Sequence, residues 1–251
     1  MYQSEVFEKF KSNAQRTRVL TEDWMSKVMF CPNCLNNKLS TFPNNHPTSD
    51  FFCQRCIETY QLKSQRTKFG RKINDGAYST MMKSIIQNTR PHFFLLQYNE
   101  EYKVKDLFLI PSFFFTETII EKRRPLRENA KRKGWVGCNI IIEKIPPEGK
   151  IWVLKENHLI KREEVAYRFR KMLFLKNSSL PERGWIVDVL RIIHQITGKE
   201  FTLKDVYSYE TELSKDHPNN YHIKDKLRQQ LQILRDKKII RFKGTGHYEK
   251  L

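Results

Sequence analysis

Residues 50–63 read DFFCQRCIETYQLK. Two chemistries overlap in this stretch. SDFF and ETYQLKS are rich in β-formers and flank a CxxC, a pattern that predicts two strands joined by a turn at the cysteines. Side chains alternate along a strand, so Gln61 and Lys63 share one face while Leu62 points the other way. If the two strands pair, Asp50 meets Gln61 and Lys63 at one edge of the sheet.

Cys53 and Cys56 also have counterparts. Cys31 and Cys34 lie in FCPNC, and 18 residues separate Cys34 from Cys53. Two such turns can bring four thiolates to the corners of a tetrahedron, the arrangement zinc prefers. An all-cysteine set leaves no open position, so the predicted zinc is structural. A redox CxxC and free thiols are the competing readings. The fifth cysteine, Cys138, sits in WVGCNIII among apolar neighbours and is expected in the core. The loop LNNKLSTFPNNHPTS between the pairs reads as turns that zinc ties down.

At the strand edge, Asp50, Gln61 and the carbonyl of Leu62 are candidate ligands for Mg²⁺. Such a metal polarises a phosphate and acidifies a bound water, and Lys63 is placed to orient that water or stabilise developing charge. The plain alternative is a solvated strand edge.

The rest of the chain favours a polyanionic partner. Of 251 residues, 46 are Lys or Arg and 28 are Asp or Glu, a net charge of +18. Lysine and arginine gain from neutralising phosphates and releasing counterions. A hydrophobic content of 39% supplies a sizeable core. No apolar run is long enough to span a bilayer, and the N-terminus has no signal-peptide pattern. The expectation is a cytoplasmic protein with no membrane contact. Basic segments occur at 63–72 and 121–140, the second containing Trp135. A tryptophan there contacts a base or a groove, or packs into the core. INDGAYSTMMKSIIQ reads as a turn and then a helix. HFFLLQY, VKDLFLIPSFFF and IWVLK read as strands, and 162–175 as a helix.

The texture changes near Pro181. GWIVDVLRIIHQITG, FTLKDVYSYETEL and YHIKDKLRQQLQILRDKK read as helices, with Thr202 as an N-cap. IIRFKGTGHYEKL reads as a hairpin. That order is the winged-helix pattern, whose last helix enters the major groove. Lys224, Arg228, Gln229 and Gln232 lie off its apolar stripe and are candidate DNA contacts. Residues 181–251 hold 14 Lys and Arg against 10 Asp and Glu, so protein contact is the competing use of the module.

AQRTRVLTEDW, CPNC, DFFCQRC, LKS, NDGAY with MMK, GWVGCN, LFLKNSSL, RGW and HIKDKLRQQLQILRDKKII together carry a resemblance. In this order they resemble the DpnI family of restriction endonucleases, within the PD-(D/E)xK nuclease superfamily, over essentially the full length. The resemblance implies an α/β PD-(D/E)xK catalytic domain with a four-cysteine zinc knuckle at 1–180. A winged-helix DNA-binding domain follows at 181–251. It further implies a methyl-directed type II endonuclease that hydrolyses double-stranded DNA at GATC carrying N6-methyladenine, with catalytic magnesium and structural zinc. By match of motif, Asp50 is the metal aspartate, Lys63 the catalytic lysine, and Trp135 a loop residue near the adenine methyls. A single nuclease site beside one winged helix points to a monomer.

Gln61 departs from the motif, which expects glutamate. An amide offers a neutral oxygen where a carboxylate brings charge. Glu58 lies on the opposite strand face, and Glu22 in TEDW is a candidate outer ligand. The alternative reading is therefore a catalytically weak or inactive protein that binds methylated DNA. A transcriptional regulator built from a zinc knuckle and a winged helix is a further alternative.

Overall fold

Two apolar stretches set the architecture. HFFLLQY and DLFLI carry unbroken apolar runs, as strands covered on both faces do, and they become the centre of the main sheet. A computed structural model of the chain describes residues 2–43, 46 and 48–251, with side chains from Val6 onward. Asn44, Asn45 and Pro47 of the predicted zinc loop lie outside those residues.

Helices α1 (Tyr2–Lys9) and α2 (Asn13–Val28) come first, then the short strands β1 (Ser40–Thr41) and β2 (Phe51–Phe52). Next are β3 (Thr59–Gln65), β4 (Lys72–Ala77), α3 (Tyr78–Ile86), β5 (His92–Tyr98) and β6 (Val104–Ile110). Strands β7 (Ile120–Lys122), β8 (Gly137–Ile141), β9 (Ile151–Lys155) and β10 (His158–Leu159) lead to α4 (Arg162–Lys171). The C-terminal part holds α5 (Leu180–Gln195), β11 (Glu200–Thr202), α6 (Leu203–Tyr207), α7 (Glu210–Asp216), α8 (Ile223–Asp236), β12 (Ile240–Gly244) and β13 (His247–Lys250).

The main sheet runs β1-β2-β3-β5-β6-β9-β10. Only the β3–β5 pairing is parallel. Phe93 to Leu96 and Leu107, Leu109 and Ile110 are fully buried at its centre. A second sheet, β4-β8-β7, is antiparallel and contains the buried Cys138. The third, β11-β13-β12, packs beside α6 and α8 as the wing of a helix-turn-helix module.

Local expectations fail in two places. The start of 73–87, read as a turn, lies in β4 (Lys72–Ala77), because ladder bonds to β8 override the weak strand propensity of Asn-Asp-Gly. FTLKDVYSYETEL is a strand followed by two short helices, since Phe201 pairs with Tyr248 of the wing. Thr202 does cap α6, in a capping box with Asp205.

Helix α5 is buried from Arg183 through Ile193, on every side. One flank packs on α8 and the other on the turn at Ser112–Phe114 that follows β6. Its buried Asp188 accepts from His217 Nε2 at 2.9 Å and from Thr118 Oγ1 at 3.3 Å. His194 and Arg183 reach Glu148 and Asn88 at 2.7 and 3.1 Å.

At the base of the main sheet a buried polar cluster joins β3, β5 and the turn after α4. The Ser112 N–H donates to His92 Nδ1 at 2.8 Å, so the ring proton sits on Nε2, 3.0 Å from Glu58 Oε2. Lys176 binds the other Glu58 oxygen. Burial alone would raise the Glu58 carboxyl, but the bonds from His92 and Lys176 overrule it and hold it at about 2. An unfolded glutamate titrates near 4.3. The lowered value therefore stabilises the fold above that range, and the stabilisation is lost as pH falls from about 4.5 to about 2. Urea unfolding at about pH 7 and about pH 3.5 should show a steep loss for the native chain and a shallower one for Glu58→Gln.

Candidate functional site

The two cysteine turns are built alike. Cys31 N–H donates to Asn36 O and Leu35 N–H to Cys31 O; Cys53 N–H donates to Glu58 O and Ile57 N–H to Cys53 O. Each turn closes with a residue in the left-handed region, Leu35 at φ 61° and Ile57 at φ 62°. For branched Ile57 that conformation is strained. The turns face each other, and all four sulfurs lie within 4.8 Å of one another. The closest contacts are Cys31 to Cys56 at 3.4 Å and Cys34 to Cys53 at 3.5 Å. Among the described residues, this is the one such group of three or more potential ligands. Burial pushes the Cys31 thiol up to about 11, so a dication is what would let the four sulfurs ionise together. The cluster suits a metal such as zinc.

The second turn links β2 to β3 in the register Phe51↔Tyr60. Asp50, one residue before β2, donates its N–H to Tyr60 O at 2.9 Å, and its Oδ2 accepts from Leu62 N–H at 2.7 Å. A cleft of about 500 Å³ opens over this edge, lined by Asp50, Gln61, Leu62, Glu22, Arg18 and Thr21 among others. Helix α2 forms its wall, docked through Thr21 Oγ1 to Ser64 Oγ at 3.2 Å. Glu22 pairs with Arg18 at 2.7 Å. Burial, with Asp50 adding to it, pushes the Glu22 carboxyl above its ordinary value against the pull of Arg18. The cleft thus gathers hard oxygen donors whose mutual repulsion a small dication would relieve.

Lys63 is placed differently from the expectation that it meets Asp50. Its ammonium is drawn toward β4, 2.8 Å from Asp75 Oδ1 and 3.3 Å from Asn74 O. Asp75 also holds Arg90 at 2.6 Å. Although burial works against it, Lys63 and Arg90 keep the Asp75 carboxyl below its ordinary value. Sequence reasoning missed this triad. The signal available was an acid in the matched NDGAY stretch, masked by its turn-like composition.

Trp135 ends the basic loop between β7 and β8 and is half-buried. Arg132 stacks 4.8 Å from its ring centroid. The indole packs against Gly137, where a Cβ would stand 2.8 Å from two ring carbons. In α8, Lys224, Arg228, Gln229 and Gln232 are all exposed, and the spacing of 224, 228 and 232 puts those three on one face. Lys224 pairs with Glu210 at 3.2 Å and Arg228 with Asp225 at 3.4 Å, both near the Tyr207 ring. Tyr221, 88% exposed just before α8, was not singled out from sequence.

An α/β sheet core with a four-cysteine cluster, joined to a winged helix-turn-helix module, is the build of a DNA-binding protein. A family model of the DpnI, Dam-replacing family matches residues 1–178, and one of the Dam-replacing HTH domain matches residues 181–250. The chain belongs to the DpnI, Dam-replacing family, which implies a methylation-dependent restriction enzyme. Among the described residues, no helix is long and apolar enough to cross a membrane.

Two measurements test this geometry. Elemental analysis of the purified chain should find one zinc per molecule, and Cys53→Ser should lose it together with several kcal/mol of stability. Gly137→Ala should push the indole off β8 at a cost of about 1–3 kcal/mol, read as a lower denaturant midpoint and faster oxidation of Trp135 in footprinting.

Proposed function

We propose that the chain is a magnesium-dependent type II endonuclease that hydrolyses double-stranded DNA at GATC carrying N6-methyladenine. Residues 1–180 form the catalytic part and 181–251 the winged-helix reader. The observation that carries this is the strand edge, where Asp50 is locked to Leu62 N–H beside Gln61 in a cleft shared with Glu22.

In this reading Asp50, the Gln61 amide oxygen and the Leu62 carbonyl hold the metal, and Glu22 adds a second carboxylate at the cleft wall. Bound Mg²⁺ supplies phosphate polarisation and an acidified water. Lys63 stabilises the charge that develops on the phosphate. Arg18, released from Glu22, meets a backbone phosphate. Lys224, Arg228, Gln229 and Gln232 face the major groove, where Arg and Gln read base edges. Trp135 presents its ring to the methyl groups. A single site per chain makes the enzyme a monomer that nicks the strands in turn.

Gln61 favours a second reading, a reader of methylated DNA that cuts poorly, because an amide removes one negative charge from the metal site. Fully methylated, hemimethylated and unmethylated GATC duplexes, each with Mg²⁺, Mn²⁺ or EDTA, separate the two. The enzyme reading expects metal-dependent cutting of the fully methylated duplex. Gln61→Glu should speed Mg²⁺-dependent cleavage, and Lys63→Ala should slow cleavage on the order of 1,000-fold to a residual rate that single-turnover assays still read, while leaving binding largely intact. Tight methyl-dependent binding with no cutting in either metal establishes the second reading.

A further inference from the structure

The Lys63 ammonium is not left to wander beside β3. It sits between Asp75 Oδ1 and the Asn74 carbonyl, with its charge 5.7 Å from the Phe93 ring centroid. Arg90 lies on the same ring at 4.3 Å and binds the other Asp75 oxygen. Asp75 owes its aim to backbone geometry. The β4–β8 register shifts between Asp75 and Ala77, and a bulge of that kind re-aims a side chain.

Arg90 alone would neutralise Asp75. The carboxylate side chain is 10% exposed and Arg90 8%, so that pair forms a buried base. Lys63 is the added member, 23% exposed. It faces an open cleft of about 420 Å³ together with Lys72 and Asn74. The triad carries one net positive charge, and the cation nearest solvent is the lysine. Lysine has a long flexible stem, so fixing its head before substrate arrives removes an ordering cost from the reaction.

We propose that Asp75 is the positioning residue of Lys63. It holds the ammonium on the β4 side of β3, two residues along the strand from Gln61, while Arg90 braces the carboxylate from behind. The inference rests on the reading of Lys63 as catalytic.

The test is a double-mutant cycle on methylated GATC duplex under single-turnover conditions, with DNA affinity measured separately in Ca²⁺. Asp75→Asn should slow cleavage on the order of 100-fold without changing affinity. Lys63→Ala/Asp75→Asn should match Lys63→Ala, because Asp75 acts only through the lysine. The conservative Asp75→Glu should recover part of the rate. Amine labelling read by mass spectrometry gives a second measure: Lys63 should label several-fold faster in Asp75→Asn, relative to exposed lysines in the same chain. Where Asp75→Asn fails to fold, Asp75→Asn/Arg90→Gln removes the stranded buried cation and carries the same expectations. If the native chain cleaves too slowly to measure, the series is built on Gln61→Glu.

Multiplying effects in the double variant, or cleavage by Asp75→Asn within twofold of the native rate, overturns the proposal. Native-rate cleavage by Lys63→Ala removes the catalytic reading of Lys63 itself, and the positioning role falls with it. Accelerated labelling with unchanged cleavage leaves a structural ion pair and also overturns the proposal.

Discussion

The register between Phe51 and Tyr60 is the constraint on which the nuclease core depends. A strand's side chains alternate, so a slip of one residue would turn every one of them to the opposite face. Phe51 and Tyr60, both fully buried, would then lose the core, and Asp50 would lose Leu62 N–H. β2 has only two residues, too few to enforce pairing by ladder bonds alone. The cysteine turn at 53–56 fixes the register from one end. From the other, Asp50 N–H to Tyr60 O closes it. Tyr60 joins the two ends, because its hydroxyl lies 3.1 Å from Cys31 Sγ. A structural metal cluster and a strand-edge carboxylate thus belong to one mechanical unit, although their chemistries are separate.

The buried ion clusters share a pattern. Three buried carboxylates each bring more than one donor with them: Glu58 has His92 and Lys176, Asp75 has Lys63 and Arg90, Asp188 has His217 and Thr118. Breaking such a set strands a buried charge, which costs far more than the intact set contributes over an apolar replacement. These sets also tie distant segments together. Glu58 joins the β3 strand to the turn after α4, and Asp188 joins the two modules.

Much of this was legible beforehand, and the failures have physical causes. Cysteine spacing foretold the cluster, because a pair of CxxC turns has few other uses. Strand alternation placed Gln61 and Lys63 on one face, and the apolar stripe of α8, Ile223, Leu227, Leu231 and Leu234, is buried throughout. Alternation fixes a face and not a partner, so the attachment of Lys63 to Asp75 lay beyond it. The strand at 72–77 was hidden for a related reason: its hydrogen bonds come from β8, over sixty residues away in sequence. For α5, helical periodicity marked one apolar face. It could not show that Trp185, Asp188 and Arg191 would be covered as well, since that depends on what packs against the helix from the other module.

Helix α5 has a consequence for how such proteins can be recombined. A helix wrapped on all sides belongs to neither module alone. A chimera joined at residue 180 would bring a foreign α5 against Thr118, Glu148 and Asn88, with nothing shaped to receive them. One joined after Gln195 would keep those partners but leave the reader without the helix that α8 packs on. Exchange of readers between nucleases of this build therefore calls for matched changes on both sides of a single helix. In that respect the seam is inherited as a core and not as a linker.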